Sequence, residues 1–229
     1  MKDNEILVRK VYDLTRVEEA PIFKNTGIGI VEERGVQTRD VAIGDRVVWI
    51  GIPTNDKVTV PEYLSERVPD GLEDSVAVFA GIGAFVIQAV RESGLTFGDR
   101  AAVLGQGILK DITSQVITSF GIHNLELALA RKGDVEIDGI FVCPAGEKSI
   151  SLVANSLRNK ASVTVLTGGH VDMPPELLAE KALKFTHPVP TQADERDVYY
   201  PRAYVRWTTK RNMGLFLNLL TEGRTKIAI

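Results

Sequence analysis

The sequence predicts an α/β protein, with an all-β first part followed by a parallel sheet and its crossovers. Three observations carry this. Residues 5–50 hold β-branched runs broken by Gly, Asp and Pro, and a strongly apolar helical stretch follows at 72–94. After it come short apolar strands alternating with stretches of helical spacing. A boundary near residue 90 divides the expected domains, 1–90 and 91–229.

The first part is read from "EILVRKVYDL", "GIGIVEE" and "DRVVWIGI", each bounded by turn residues. "KVTVPEYL" adds a further β segment, and Pro-Asp-Gly in "VPDGLED" marks a turn. In "LEDSVAVFAGIGAFVIQAVRESG" the period changes. Val76, Val78, Ala80, Ile82, Ala84, Phe85, Ile87 and Val90 suit a largely buried helix interrupted near Gly81 and Gly83.

The second part opens with "RAAVLGQG", a short strand running into glycines. In "ILKDITSQVITSFG", Ile108, Ile112, Val116, Ile117 and Phe120 share a helical face that Gly121 ends. "IDGIFVCPAG" reads as a second buried strand, "EKSISLVANSLRNK" as a second helix and "ASVTVLTGG" as a third strand. Buried strands linked in this way imply parallel pairing. The polar, Pro-rich "HPVPTQADERDVYYPRAY" reads as a long loop, and "TTKRNMGLFLNLLTEG" as a closing amphipathic helix.

Composition narrows the function classes. The chain of 229 residues is 44% hydrophobic and 25% charged, as an ordinary globular protein is. Its net charge of −3 gives no basic footprint for nucleic acid. The single cysteine, Cys143, excludes an internal disulfide and a multi-cysteine zinc site. "MKDNEILVRK" lacks the apolar core of a signal peptide, and no run of side chains approaches the ~18 apolar residues of a membrane span. A soluble, cytoplasmic protein without membrane or nucleic-acid partners is the expectation.

"IGDRVVWIG" and "VPDGLEDSVAVFAGIGAFVIQAVRESGLTFGDRAAVLGQG" resemble the middle of a medium-chain alcohol dehydrogenase/reductase. In that family a GroES-like β domain leads through a helix into a Rossmann domain. "YYPRAYVRWTTKRNMGLFLNLLTEGR" resembles, more particularly, the dehydrogenase half of bi-domain oxidoreductases. The resemblance covers roughly residues 20 to 225. It implies a reduced GroES-like β domain followed by a truncated Rossmann-like sheet, and family relatives commonly dimerise through the edge of that sheet.

The phosphate-binding turn of such a domain carries three glycines. Gly105 stands for the tight turn and Gly107 for close backbone approach, but Lys110 occupies the third place. Lys110 can meet a phosphate as a point charge, although it opposes the helix dipole. The plainer alternative is that "GQG" only turns a strand into a helix. The family's ribose-binding acid would fall at Ala128, which is no carboxylate. A small residue followed by Arg131 and Lys132 is similar to NADPH-preferring relatives, and the plainer alternative is a solvated "RKGD" turn.

Between "NLELALAR" and "IDGIFVC" too few residues remain for a helical return, since a parallel crossover needs a dozen or more. The second helix and third strand of the usual domain are therefore expected to be deleted. "LELALARK" fits a strand or a helix equally.

Zinc-dependent relatives carry a "GHE" segment and several cysteines. Here the corresponding "FKNTGIG" has neither His nor Glu, and His123, His170 and His187 lack ligand spacing. No zinc is expected. His170, following a strand end in "LTGGHVDMP", is the candidate proton donor, with a surface loop histidine as the alternative. Tyr199, Tyr200, Tyr204, Arg206 and Trp207 form an aromatic and basic cluster that either covers the sheet or lines a sugar site, with Tyr204 and Arg206 as substrate contacts.

Two readings stay open. One is a zinc-independent, NADP-linked oxidoreductase acting on a small polar or sugar-like carbonyl or alcohol. The other is a pseudo-dehydrogenase without cofactor, serving as a scaffold, a partner subunit or a non-redox biosynthetic protein. Either allows a homodimer or a partner subunit that completes the cleft.

Overall fold

The computed structural model describes residues 1–14, 25–126, 135–144, 150–166, 171, 174–186, 203 and 205–227. By packing, the chain forms two units, Met1–Phe85 with Pro190–Ile229, and Val86–Val189. The division falls inside a helix, between Phe85 and Val86. The closing helix groups with the first unit, although it follows the parallel sheet in sequence.

The first unit holds β1 (Glu5–Asp13), β2 (Gly27–Arg34), β3 (Arg46–Trp49), β4 (Lys57–Pro61) and β5 (Ser65–Arg67). They form an antiparallel sheet in the order β4-β1-β2-β3-β5. Ile6 and Val8 of β1, Val31 of β2, Val47 and Trp49 of β3, and Val58 and Val60 of β4 make its core. The alternation of exposed and buried residues along β4 is the period-2 pattern of a half-buried strand.

Helices α1 (Asp74–Ala77) and α2 (Ala80–Ser93) follow. The interruption expected near Gly81 and Gly83 lies instead at Val78–Phe79, and both glycines sit within α2. They serve packing. A Cβ on Gly81 would stand 2.7 Å from Cγ2 of Ile50, and one on Gly83 would run into the ring of Phe216. That ring belongs to α5 (Thr209–Thr221), which is capped by Thr208, whose side chain accepts from the Arg211 N–H at 3.2 Å. Asn212, Met213, Phe216, Leu217, Leu219 and Leu220 form its buried face.

Residues 74–93 together are long and apolar enough to cross a membrane by length and composition, contrary to the expectation that no stretch comes near. Glycines and alanines dilute the run without making it polar. The stretch is 61% buried inside the fold, as a core helix is.

The second unit carries β6 (Arg100–Leu104), α3 (Ile108–Ser119), β7 (His123–Asn124), β8 (Ile137–Val142), β9 (Leu157–Val165), α4 (Pro175–Lys181) and β10 (Lys184–Thr186). Its sheet is parallel throughout, in the order β10-β9-β8-β6-β7. One face is covered by a core of Leu104, Ile140, Val142, Val163 and Val165 with Val153 and Leu177.

Two sequence expectations change here. The helix expected over "EKSISLVANSLRNK" is, where described, a 3-10 segment at Ile150–Ser156. Leu157–Lys160 already belong to β9, with Leu157 opposite Ile137. Lys160 at φ 62° and a register shift between Ile137 and Gly139 mark a bulge that lets the strand start early. Second, α4 and β10 were not anticipated. Pro175 sits in the first turn of α4 and Ala182 ends it in the left-handed region, both punctuation rather than periodicity.

Candidate functional site

A doubly wound sheet of six strands runs 3-2-1-4-5-6, and its ligands bind where the order reverses. Among the described strands, β7-β6-β8-β9-β10 reproduces 2-1-4-5-6 of that order. The chain leaves β6 through α3 to β7 on one side, whereas β8, β9 and β10 build outward on the other. The reversal therefore lies at the carboxyl ends of β6 and β8. The Cys143 N–H donates to the Leu104 carbonyl at 2.9 Å, and the Leu166 N–H to the Val142 carbonyl at 2.9 Å, so the three strand ends stay aligned.

Immediately beyond β6 stands the Gly105-Gln106-Gly107 turn. Gly105 has φ 110° and Gly107 φ 86° with ψ −174°, conformations that an L side chain opposes. Gly107 is the N-cap of α3 and offers no side-chain acceptor to the first turn. A helix start presents N–H groups without helical partners, and the helix dipole adds positive potential there. Strand, Gly-x-Gly and helix thus occur in the context that a phosphate cradle requires.

Lys110 sits in the first turn of α3. The buried face of this helix is Leu109, Ile112, Thr113, Val116 and Ile117. Lys110 lies off that face with its side chain 40% exposed, which explains why a Cβ is accepted where a glycine would allow closer packing. Its Nζ is 4.0 Å from Oδ1 of Asp111, itself 61% exposed, so this solvated pair holds the lysine only loosely.

The structure brings Gly105, Gly107 and Lys110 together in one turn. Arg206 belongs to the other unit, exposed, with its guanidinium 5.2 Å from the centre of the Trp207 ring. Ala128, Arg131, Lys132, His170, Tyr199, Tyr200 and Tyr204 lie outside the described residues. So does the strand-or-helix question beyond Glu126, while His123–Asn124 pairs with β6 as a strand. Cys143 is buried at the end of β8. Among the described residues no group of His, Cys, Asp or Glu is placed to hold a metal ion.

Among the described residues, two carboxylates, both in the antiparallel unit, are shifted from the ordinary range. Burial pushes the Glu66 carboxyl up, against the pull of Lys210. The hydrogen bond from Lys57 holds that of Glu32 down, with Arg9 assisting. Sequence reasoning missed Glu66, because its surroundings come from residues 40 and 210, and no local motif joins them.

No protein-family model matches the chain, and no curated protein matches it in sequence. Solved structures do resemble it. AibC superposes with a TM-score of 0.75 at 15% identity, over 98% of this chain and 82% of its own. Quinone oxidoreductase of Escherichia coli, complexed with NADPH, gives 0.71 at 13% identity, over 100% and 83%. Alcohol dehydrogenase TADH from Thermus sp. ATN1 gives 0.70 at 16%, over 98% and 83%. At such identities the likeness is one of fold. With its antiparallel sheet, its parallel sheet and its glycine turn at the point of reversal, the chain has the fold of these quinone oxidoreductase and alcohol dehydrogenase structures.

Proposed function

We propose that the chain is a zinc-independent, NADP(H)-linked oxidoreductase acting on a small polar or sugar-like carbonyl or alcohol. The observation that carries this reading is the β6–turn–α3 unit. Two glycines in left-handed backbone lead into an uncapped helix start at the reversal of a parallel sheet, and a lysine stands in the first helical turn. A pyrophosphate is the ligand this turn would suit, because glycines at 105 and 107 bring no side chain of their own to the backbone and a helix start adds positive potential. The E. coli relative with the same fold is complexed with NADPH, which favours the same class of cofactor.

When bound, the reduced cofactor supplies a hydride to the carbonyl carbon of the substrate. The chain's own part is to hold the phosphates with the turn N–H groups and Lys110, and a 2′-phosphate with Arg131 and Lys132. His170 gives a proton to the carbonyl oxygen, so that the product alcohol gains one hydride and one proton. A homodimer, or a partner subunit completing the cleft, belongs to the same proposal.

A second reading is favoured by Lys110 at the third glycine place and by the absence of a third strand among the described residues. A pseudo-dehydrogenase would keep the turn for folding alone. Titration of the purified protein with NADPH and NADH, read by melting temperature and calorimetry, separates the two. Ligand binding to the native state raises stability by RT ln(1 + [L]/Kd), so even a weak cofactor registers at millimolar concentration. A shift with NADPH and a smaller one with NADH is the expected result. No shift and no heat with either nucleotide leaves the scaffold reading.

A further inference from the structure

In the first unit, the start of α5 rests on an arrangement of charges that catalysis does not explain. Lys210, in the first turn, has a side chain only 15% exposed. A cation at a helix N-terminus is disfavoured by the dipole, so its burial there needs compensation. Its Nζ meets Asp40 Oδ2 at 3.0 Å and the Glu62 carbonyl at 3.4 Å. The Glu62 carboxylate in turn accepts from the N–H groups of Arg39 and Asp40, at 2.9 and 2.8 Å, and so fixes the loop that presents Asp40.

Glu66 of β5 completes the arrangement. Its carboxyl lies one turn further along the helix, beside Gly214, where an added Cβ would be 3.4 Å from Cδ of Glu66. Across the sheet it is opposite Val48 of β3, which brings no charge. The charged groups that face it are Lys210 from α5, Asp40 from the loop between β2 and β3, and its neighbour Arg67. Lys210 is committed to Asp40, and Arg67 pairs with Asp45 at 3.4 Å. Its own hydrogen bond is from the Arg67 N–H to Oε1 at 3.2 Å. A carboxyl covered by a helix and given no ion pair among the described residues favours its neutral form.

We propose that Glu66, Asp40 and Lys210 form a proton-sensitive latch that holds α5 on the antiparallel sheet. Protonated, Glu66 packs under Gly214 at no electrostatic cost, and Lys210 is left wholly to Asp40. Ionised, it places a second carboxylate beside Asp40 and must be solvated, which favours lifting of the first turns of α5.

The direction with pH follows from burial pushing the docked carboxyl above its usual range. Below about pH 4.3, the ordinary glutamate value, docked and lifted states are both neutral and the latch holds fully. As pH rises, the lifted state ionises first and docking weakens, until the docked carboxyl has ionised too. Each unit between the two values multiplies the lifted fraction roughly tenfold.

The test is hydrogen exchange of the α5 amides in the full chain between pH 4 and 8, normalised for intrinsic exchange. In the unmodified protein the lifted fraction of α5 should rise several-fold across this range while that of β1 stays level. Glu66→Gln should hold it low and flat. Lys210→Met should start the rise at the same pH but extend it to higher pH, because the attraction that lowers the docked carboxyl is gone. Should Glu66→Gln fold poorly, 13C titration of the Glu66 carboxyl in the unmodified protein decides by itself. An ordinary glutamate midpoint overturns the latch, and so does an identical α5 response in the unmodified protein and Glu66→Gln.

Discussion

Two regions of the molecule use glycine in opposite ways, the helix α2 and the turn after β6. In the first, Gly83 is required by what lies against it, because the Phe216 ring of α5 occupies the space of its absent Cβ. The requirement comes from a residue more than a hundred positions away. In the second, Gly105 and Gly107 are required by their own backbone, which takes φ values of 110° and 86°. Long-range packing therefore fixes the glycine in α2, and local geometry fixes those in the turn after β6. The difference teaches where each unit is vulnerable.

The largest effect should come from breaking the long-range contact. Phe216→Ala removes a fully buried ring against Gly83 and should cost about 3–5 kcal/mol. Gly83→Ala should also destabilise, by about 1–3 kcal/mol, because overpacking outweighs the helix propensity gained. Combined with Phe216→Leu, Gly83→Ala should recover part of its loss. Denaturant midpoints of the single and double variants check this, and strictly additive losses would contradict the packing account.

A middle-sized effect should separate backbone from charge in the turn. Gly107→Ala forces a side chain into left-handed backbone and should cost about 1–2 kcal/mol of stability. Lys110→Ala lies off the buried face and should leave the melting temperature nearly unchanged. It should weaken NADPH binding by about 1.5–3 kcal/mol, as loss of a charge-assisted hydrogen bond does. Calorimetry with NADPH on both variants tests the pair. Unchanged affinity in Lys110→Ala would leave Lys110 without a role in phosphate binding.

The same contrast explains what was legible in the sequence. Binary patterns and turn residues act over a few positions, so β1 to β4, β6, α3 and the glycine turn are readable from local spacing. The fold class follows from them together with the resemblance, whereas the reversal at β6 is seen only in the strand order. Elements set by distant partners are not readable in this way. The early start of β9 at Leu157 depends on its pairing with Ile137, and the break before α2 falls at Val78–Phe79 because Gly81 and Gly83 are needed inside the helix. The Glu66 surroundings assemble from residues 40 and 210, which share no motif with it. For the candidate site, Gly105, Gly107 and Lys110 were legible because one strand–turn–helix carries them all. His170, Arg131 and Lys132 remain proposals that rest on the sequence.

The smallest effect should come from Glu32, and it sharpens the comparison by being distant without being enclosed. Arg9 of β1 pairs with Glu32 of β2 at 3.1 Å, and Lys57 of β4 pairs with the other carboxylate oxygen, so three strands contribute to one polar ladder. The Lys57 hydrogen bond holds the folded Glu32 carboxyl below its usual range. The stability this brings is present above the unfolded glutamate value and is lost as pH falls through the folded one. Glu32→Gln should therefore leave the acid end of the stability profile unchanged and slightly lower the neutral part, and the difference should fade in 1 M salt, where screening reaches within ~3 Å. Thermal melts of both proteins from pH 3 to 7, at low and high salt, check the sign. A large, salt-resistant loss in Glu32→Gln would mean that a solvated ladder holds the sheet as firmly as the Phe216 contact does, and the distinction between enclosed and merely distant contacts would fall.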